Sequence, residues 1–127
     1  MNKKEIAQAE AVKTLREWGI MDGTTIYAKV VRVNASGMSR QVRLYIVDKT
    51  DGRIVDISYW AAKVLGWGYA GDGYRDGIRV SGCGMDMLFH TVYSLSYAMG
   101  YGALDQSMSD DRNINKKGYY GLRYRSF

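Results

Sequence analysis

A chain of 127 residues, 46% hydrophobic and 24% charged, is the size of one domain and can bury a core without help from disulfides or metal. Its lone cysteine, Cys83, excludes an internal disulfide and fits a reducing compartment; the charged start Met1-Asn2-Lys3-Lys4-Glu5 offers neither the apolar core of a signal peptide nor the ~20 apolar residues of a membrane span. A net charge of +5 raises the expectation of an anionic partner, and fifteen glycines with no proline leave the turns to Gly, Asn and Asp.

In chain order, Lys3 to Trp18 reads as a helix, because Val12, Leu15 and Trp18 recur at helical spacing and Lys4, Glu10, Lys13 and Glu17 lie mostly elsewhere; Gly19 is its stop. Thr24 to Val33 is β-branched and alternating, with Ile26, Ala28 and Val30 on one face and Tyr27, Lys29 and Val31 on the other. The cluster Asn34-Ala35-Ser36-Gly37-Met38-Ser39 turns the chain. Arg40 to Asp48 then alternates again, with Val42, Leu44 and Ile46 inward and Gln41, Arg43 and Tyr45 outward, so a long hairpin is expected. Lys49-Thr50-Asp51-Gly52 signals a second tight turn, and Ile54, Val55 and Ile57 supply a third antiparallel strand.

Ser58 is placed to cap a short helix over Tyr59 to Leu65, ended by Gly66, and the apolar residues of this helix require it to cover the sheet. Gly66, Gly68, Gly71, Gly73 and Gly77 then punctuate a loop interleaved with Trp67, Tyr69 and Tyr74. Ile78-Arg79-Val80 is a short fourth strand. A helix from about Met85 to Met99 follows, with Leu88, Val92 and Leu95 as its core stripe and Phe89, Tyr93 and Tyr97 as a second stripe read as packing. Periodicity weakens after Gly100: Ser107 to Asp111 reads as an exposed loop, and Tyr119 to Phe127 can add an edge strand. The expected fold is therefore α+β, a three- to four-stranded, mainly antiparallel sheet with about three helices packed on it, in a single domain spanning 1–127.

Three stretches can carry chemistry. In the first, Cys83 stands near a helix N-terminus, where unpaired backbone amides favour a thiolate, and Asp86 and His90 follow on one helical face. Read functionally, this is a Cys/His nucleophile or part of a metal site. Read structurally, Cys83 is a small buried residue, Asp86 a helix cap and His90 a core or boundary histidine, and one cysteine with one histidine falls short of the three or four protein ligands that zinc takes. The second stretch is the hairpin tip Ser36, Gly37, Ser39 and Arg40, whose hydroxyls, glycine amide and guanidinium suit a phosphate or carboxylate; local spacing alone favours a solvated turn.

The third stretch combines aromatics with cations: Trp67, Tyr69 and Tyr74 with Arg75 and Arg79, then Lys116, Lys117, Tyr119, Tyr120, Arg123, Tyr124 and Arg125. From Arg112 to Phe127 there are five cations and no acid, so the tail of about 112–127 accounts for the whole net charge. Stacking faces beside cations suit single-stranded nucleic acid or a nucleotide, and Tyr, Trp and Arg are equally the residues of a protein interface. Binding is favoured over catalysis, with no cofactor implied and no catalytic residue assigned.

Ser36-Gly37-Met38-Ser39-Arg40 after a strand, together with Gly82-Cys83-Gly84-Met85-Asp86-Met87 and Phe89-His90, resembles small uncharacterised proteins encoded by bacteriophages and prophages, over roughly 24–99. The resemblance implies an accessory protein acting in the host bacterial cytoplasm and inhibiting a host defence system, and it supplies no catalytic residues. The order helix, three strands, helix is also similar to that of double-stranded-RNA-binding domains, a pattern that the extra helix and the glycine loop break. The partners expected are nucleic acid, a nucleotide or a host defence protein, with no membrane; an exposed hairpin edge permits a homodimer.

Overall fold

The computed structural model describes residues 2–20, 24–33, 39–48, 50–70, 77–81, 86–100, 104–105 and 120–124, with the backbone alone at 32–33, 39–40, 70, 81, 86–87, 89, 104–105 and 120–124. The fold is α+β. Helix α1 (Lys3–Glu17) leads into strands β1 (Thr25–Val33), β2 (Ser39–Val47) and β3 (Ile54–Asp56), helix α2 (Ser58–Leu65), strands β4 (Tyr69–Ala70) and β5 (Gly77–Ser81), helix α3 (Asp86–Ala98), and strands β6 (Leu104–Asp105) and β7 (Tyr120–Tyr124). All strand pairs are antiparallel, in the order β4-β5-β2-β1-β7-β6, with β3 also on β2. The two-residue strands β4 and β6, which widen the expected sheet, are too short to show any alternation. The C-terminal strand β7 is flanked by β1 and β6 rather than lying at an edge.

Alternation decides the layers. Ile26, Ala28, Val42, Leu44, Ile46, Ile78 and Val80 are all buried in one cluster with Ala11 and Leu15 of α1, Ala61, Ala62 and Val64 of α2, and Leu88, Val92 and Leu95 of α3. The three helices thus share one face of the sheet. The ladder joins Tyr27 to Tyr45 and Lys29 to Arg43 on the other face, where Tyr27 and Tyr45, 6% and 8% exposed, form a second cluster with Val47 and Ile54. A bulge between Val30 and Arg32 shifts the register, so that Arg32 stands opposite Gln41.

Helix ends fix what the helices present. At the end of α1 the Ile20 amide donates to the Leu15 carbonyl at 3.2 Å and the Gly19 amide to Arg16 at 3.0 Å, with Gly19 at φ 90°. This turn folds Ile20 back onto Leu15, and both are fully buried. Ile20 therefore takes the core place that helical spacing gives to Trp18, which is 41% exposed and meets Trp60 edge-on at 6.3 Å. Tyr93 and Tyr97 also depart from the packing stripe expected of them. They are 41% and 55% exposed, because Leu88, Val92, Leu95 and Met99 already fill the buried side of α3.

Ser58 is the first residue of α2 rather than its N-cap, which is Ile57. Its hydroxyl is drawn instead into the sheet: the Leu44 amide donates to Ser58 Oγ at 2.9 Å, and Ser58 Oγ bonds Asp56 Oδ1, which also accepts from the Ser58 amide at 2.8 Å. The hydroxyl satisfies an amide of β2 at the place where β3 ends and β5 has not begun. Of the turn expected from Lys49 to Gly52, Lys49 lies outside the described residues; Thr50 and Asp51 turn as expected, with the Asp48 amide donating to the Arg53 carbonyl and the Gly52 amide to the Asp48 carbonyl, both 2.8 Å.

Candidate functional site

Trp67 is the second residue after α2, and its position follows from the way that helix ends. Gly66 takes φ 71°, a conformation that costs a residue with a side chain about 1–2 kcal/mol, and the Trp67 amide donates back to Ala62 at 3.1 Å. The indole is half-buried against the core, and the next residue, Gly68, accepts from the Arg79 amide at 2.8 Å, tying the segment to β5. Trp67 stacks on His90 of α3 with ring centroids 5.7 Å apart and 25° between planes. These rings belonged to two separate candidate stretches in the sequence, and tertiary structure makes them one feature.

Trp67 is also a ridge between two clefts. One, of about 340 Å³, is lined by Lys4, Gln8, Tyr59, Lys63, Trp67 and Tyr69 among others. The other, of about 380 Å³, is lined by Trp67, Gly68, Arg79, Val80 and His90. Among the described residues, both clefts have aromatic walls and cations and neither has an acid. Tyr59 meets Tyr69 edge-on at 5.7 Å and Trp60 edge-on at 5.3 Å, and Lys63 Nζ lies 4.6 Å above the Tyr59 ring and 5.2 Å above that of Trp60. The cation is thereby held over the aromatic floor by attraction to the ring faces.

Lys4, Tyr59 and Lys63 were not among the residues that the sequence singled out. The four-residue spacing of Tyr59 and Lys63 on a helix was the available signal for that pair. Lys4 joins through packing of α1 on α2, where Gln8 Nε2 donates to the Val64 carbonyl at 3.4 Å, and that contact has no local signature.

The other candidates divide. Ser39 and Arg40 lie at the start of β2, opposite Ser81 and Val80 of β5, with Arg40 also opposite Val33 of β1; they are strand residues, whereas the reading placed Ser39 in the turn. Ser36 and Gly37 lie outside the described residues, as do Tyr74, Arg75, Cys83, Lys116, Lys117 and Arg125. Asp86 is the first residue of α3, and His90 is exposed one turn on. Among the described residues no group of three or more His, Cys, Asp or Glu is arranged to hold a metal ion. Tyr120, Arg123 and Tyr124 are built into β7, where Tyr120 stands opposite Ala28, Arg123 opposite Thr25 and Tyr124 opposite Leu104. Three strands, β5, β2 and β1, separate β4 from β7, four spacings of ~4.8 Å or roughly 19 Å. The glycine-loop aromatics and the C-terminal strand are therefore not neighbours.

No family model, curated protein or solved structure matches this chain. No helix among the described residues is long and apolar enough to cross a membrane.

Proposed function

We propose that the chain is a non-enzymatic binding protein that engages a phosphate-bearing partner with a ring to stack, nucleic acid or nucleotide, at Trp67. The observation that carries this reading is the pair of clefts sharing that indole, each joining aromatic faces to cations with no acid among its described residues. Stacking on an aromatic face supplies sequence-tolerant affinity, and neighbouring cations neutralise phosphates. The overall charge of +5 acts in the same direction by raising the encounter rate with polyanions. The motif resemblance supplies a setting for the proposal: a phage accessory protein in the host bacterial cytoplasm that inhibits a defence system by binding its nucleic acid, nucleotide signal or nucleoprotein effector.

Fluorescence anisotropy with labelled single- and double-stranded DNA and RNA tests the reading. Trp67→Ala should weaken binding by about 1–3 kcal/mol, the worth of one stacked base. Affinity unchanged by that substitution would remove Trp67 from the site.

A second reading, inhibition by direct protein contact, is favoured by the exposed rings of Trp18, Tyr59, Tyr93 and Tyr97, the residue types that dominate interface energetics. It predicts a partner whose capture survives nuclease and depends weakly on salt.

A further inference from the structure

Trp67 stands between two glycines, and a cation lies beside each of them. Gly66 ends α2, and a Cβ on it would stand 3.7 Å from Lys4 Cε and 3.9 Å from Lys4 Nζ. Gly68 follows the indole, and a Cβ there would stand 3.5 Å from Arg79 Cδ. Both cationic side chains thus lie close over backbone that carries no side chain of its own, one arriving from α1 and the other from β5. Two residues separate the glycines by about 7 Å at most. Lys4 lines the first cleft, Arg79 lines the second, and Trp67 lines both. The indole therefore has a cation in each of the clefts that it divides.

Lys4 and Arg79 are exposed, and among the described residues none of Lys4, Lys63 and Arg79 is paired with a carboxylate. The carbonyl end of α2 draws the Lys4 ammonium toward Gly66. A helix end carries only about half a charge, so it orients the ammonium without neutralising it. Lys63 Nζ, held over the rings of Tyr59 and Trp60, adds a second cation on the Lys4 side. On the other side His90, which stacks on Trp67, shares its cleft with Arg79.

A ring seated on the indole with cations to both sides matches a nucleotide that has a phosphate on each side of its sugar, which is a nucleotide within a strand. A nucleoside 5′-monophosphate carries one phosphate and leaves the cation of one cleft unanswered. A duplex keeps its bases paired and leaves Trp67 nothing to stack on. We propose that the partner is a single-stranded nucleic acid that passes over Trp67 from one cleft to the other, with an internal base on the indole, one flanking phosphate at Lys4 and Lys63 and the other at Arg79. The inference rests on the Trp67 reading for the base and on the cations of the two clefts for the phosphates, and the two can fail separately.

The test is a salt series of binding to a labelled 12-nucleotide single strand and the matching duplex, with adenosine 5′-monophosphate and adenosine 3′,5′-bisphosphate as minimal ligands. The proteins are the full chain, Arg79→Gln, the pair Lys4→Gln with Arg79→Gln, the charge-keeping pair Lys4→Arg with Arg79→Lys, and Trp67→Ala. The strand should bind more tightly than the duplex, and the bisphosphate more tightly than the monophosphate. For the strand, the double Gln variant should flatten the slope of log affinity against log salt by about 1.4, two phosphate contacts at ~0.7 each, while the charge-keeping pair retains the slope. Arg79→Gln alone should bring the bisphosphate down to the affinity of the monophosphate. An unchanged slope in the double Gln variant, a duplex bound as tightly as the strand, or a bisphosphate bound no better than the monophosphate overturns the inference. Weaker binding in Trp67→Ala beside an unchanged slope in the double Gln variant overturns the phosphate contacts and keeps the stacking site. A flattened slope with Trp67→Ala unaffected overturns the stacking reading on which the inference rests.

Discussion

The two faces of the sheet are made by the same strands and serve different ends. Along β2, Val42, Leu44 and Ile46 enter the core beneath the helices, while Gln41, Arg43 and Tyr45, which alternate with them, face away. Period-two alternation gives each strand two chemically independent sides, so stability can be held on one while charge gathers on the other. The outer face packs as well, since Tyr27 and Tyr45 are buried there with Val47 and Ile54, but it does so without the helices. Trp67 packs on the helix-side core and is tied to β5 through the bond from the Arg79 amide to the Gly68 carbonyl.

Breaking the core side has the largest effect. Leu44→Ala removes a fully buried side chain at the centre of the sheet and should cost about 2–5 kcal/mol in urea unfolding. Ser58→Ala strands the Leu44 amide in a buried position, and should cost about 1–3 kcal/mol by the same measurement. Gly66→Ala forces a side chain into φ 71° and brings a Cβ to 3.3 Å from Gln8 Nε2, so it should cost about 1–2 kcal/mol and disturb Trp67, visible as a changed tryptophan emission. Arg79→Gln, on the charged side, should stay within about 0.5 kcal/mol of the parent in stability while weakening oligonucleotide binding. If Arg79→Gln destabilised the fold as much as Ser58→Ala does, the separation of the two faces would fail.

The smallest effect concerns α3. The Tyr93 and Tyr97 rings lie 5.1 Å apart, and the hydrogen bond to Tyr97, then burial, push the Tyr93 hydroxyl above the ordinary tyrosine range. A raised pKa favours the neutral form in the folded state, so this contribution is intact below the ordinary tyrosine pKa of about 10 and fades as pH rises through the folded value. Tyr97→Phe should lower the Tyr93 titration midpoint in a spectrophotometric titration; an unmoved midpoint would dismiss the hydrogen bond as its cause.

The parts of this fold that were legible are those set by local periodicity. Ile26 and Ala28, Val42 with Leu44 and Ile46, and Leu88 with Val92 and Leu95 announce their burial by spacing alone. Trp18 misleads because a turn at Gly19 lets Ile20 fill the place that the spacing assigns to the ring. Tyr93 and Tyr97 mislead because apolar content cannot tell which of two stripes a helix buries. The site was half legible: Trp67, Tyr69 and Arg79 stand out as rings and cations in a glycine-rich stretch. The stacking of Trp67 on His90, and the arrival of Lys4 from α1, join residues far apart in the chain and leave no trace in its periodicity. The outward positions of Lys29 and Arg43 were readable strand by strand, but the ladder register that sets them side by side was not.

The central claim is that Trp67 is where the partner's ring stacks. The chain has three tryptophans, so a ¹H–¹⁵N spectrum carries three indole N–H peaks, assignable by replacing Trp18, Trp60 and Trp67 in turn with Phe. On titration with the 12-nucleotide single strand, the Trp67 indole should shift most and Trp18 least. A largest shift at Trp18, or three unmoved peaks, would contradict the account.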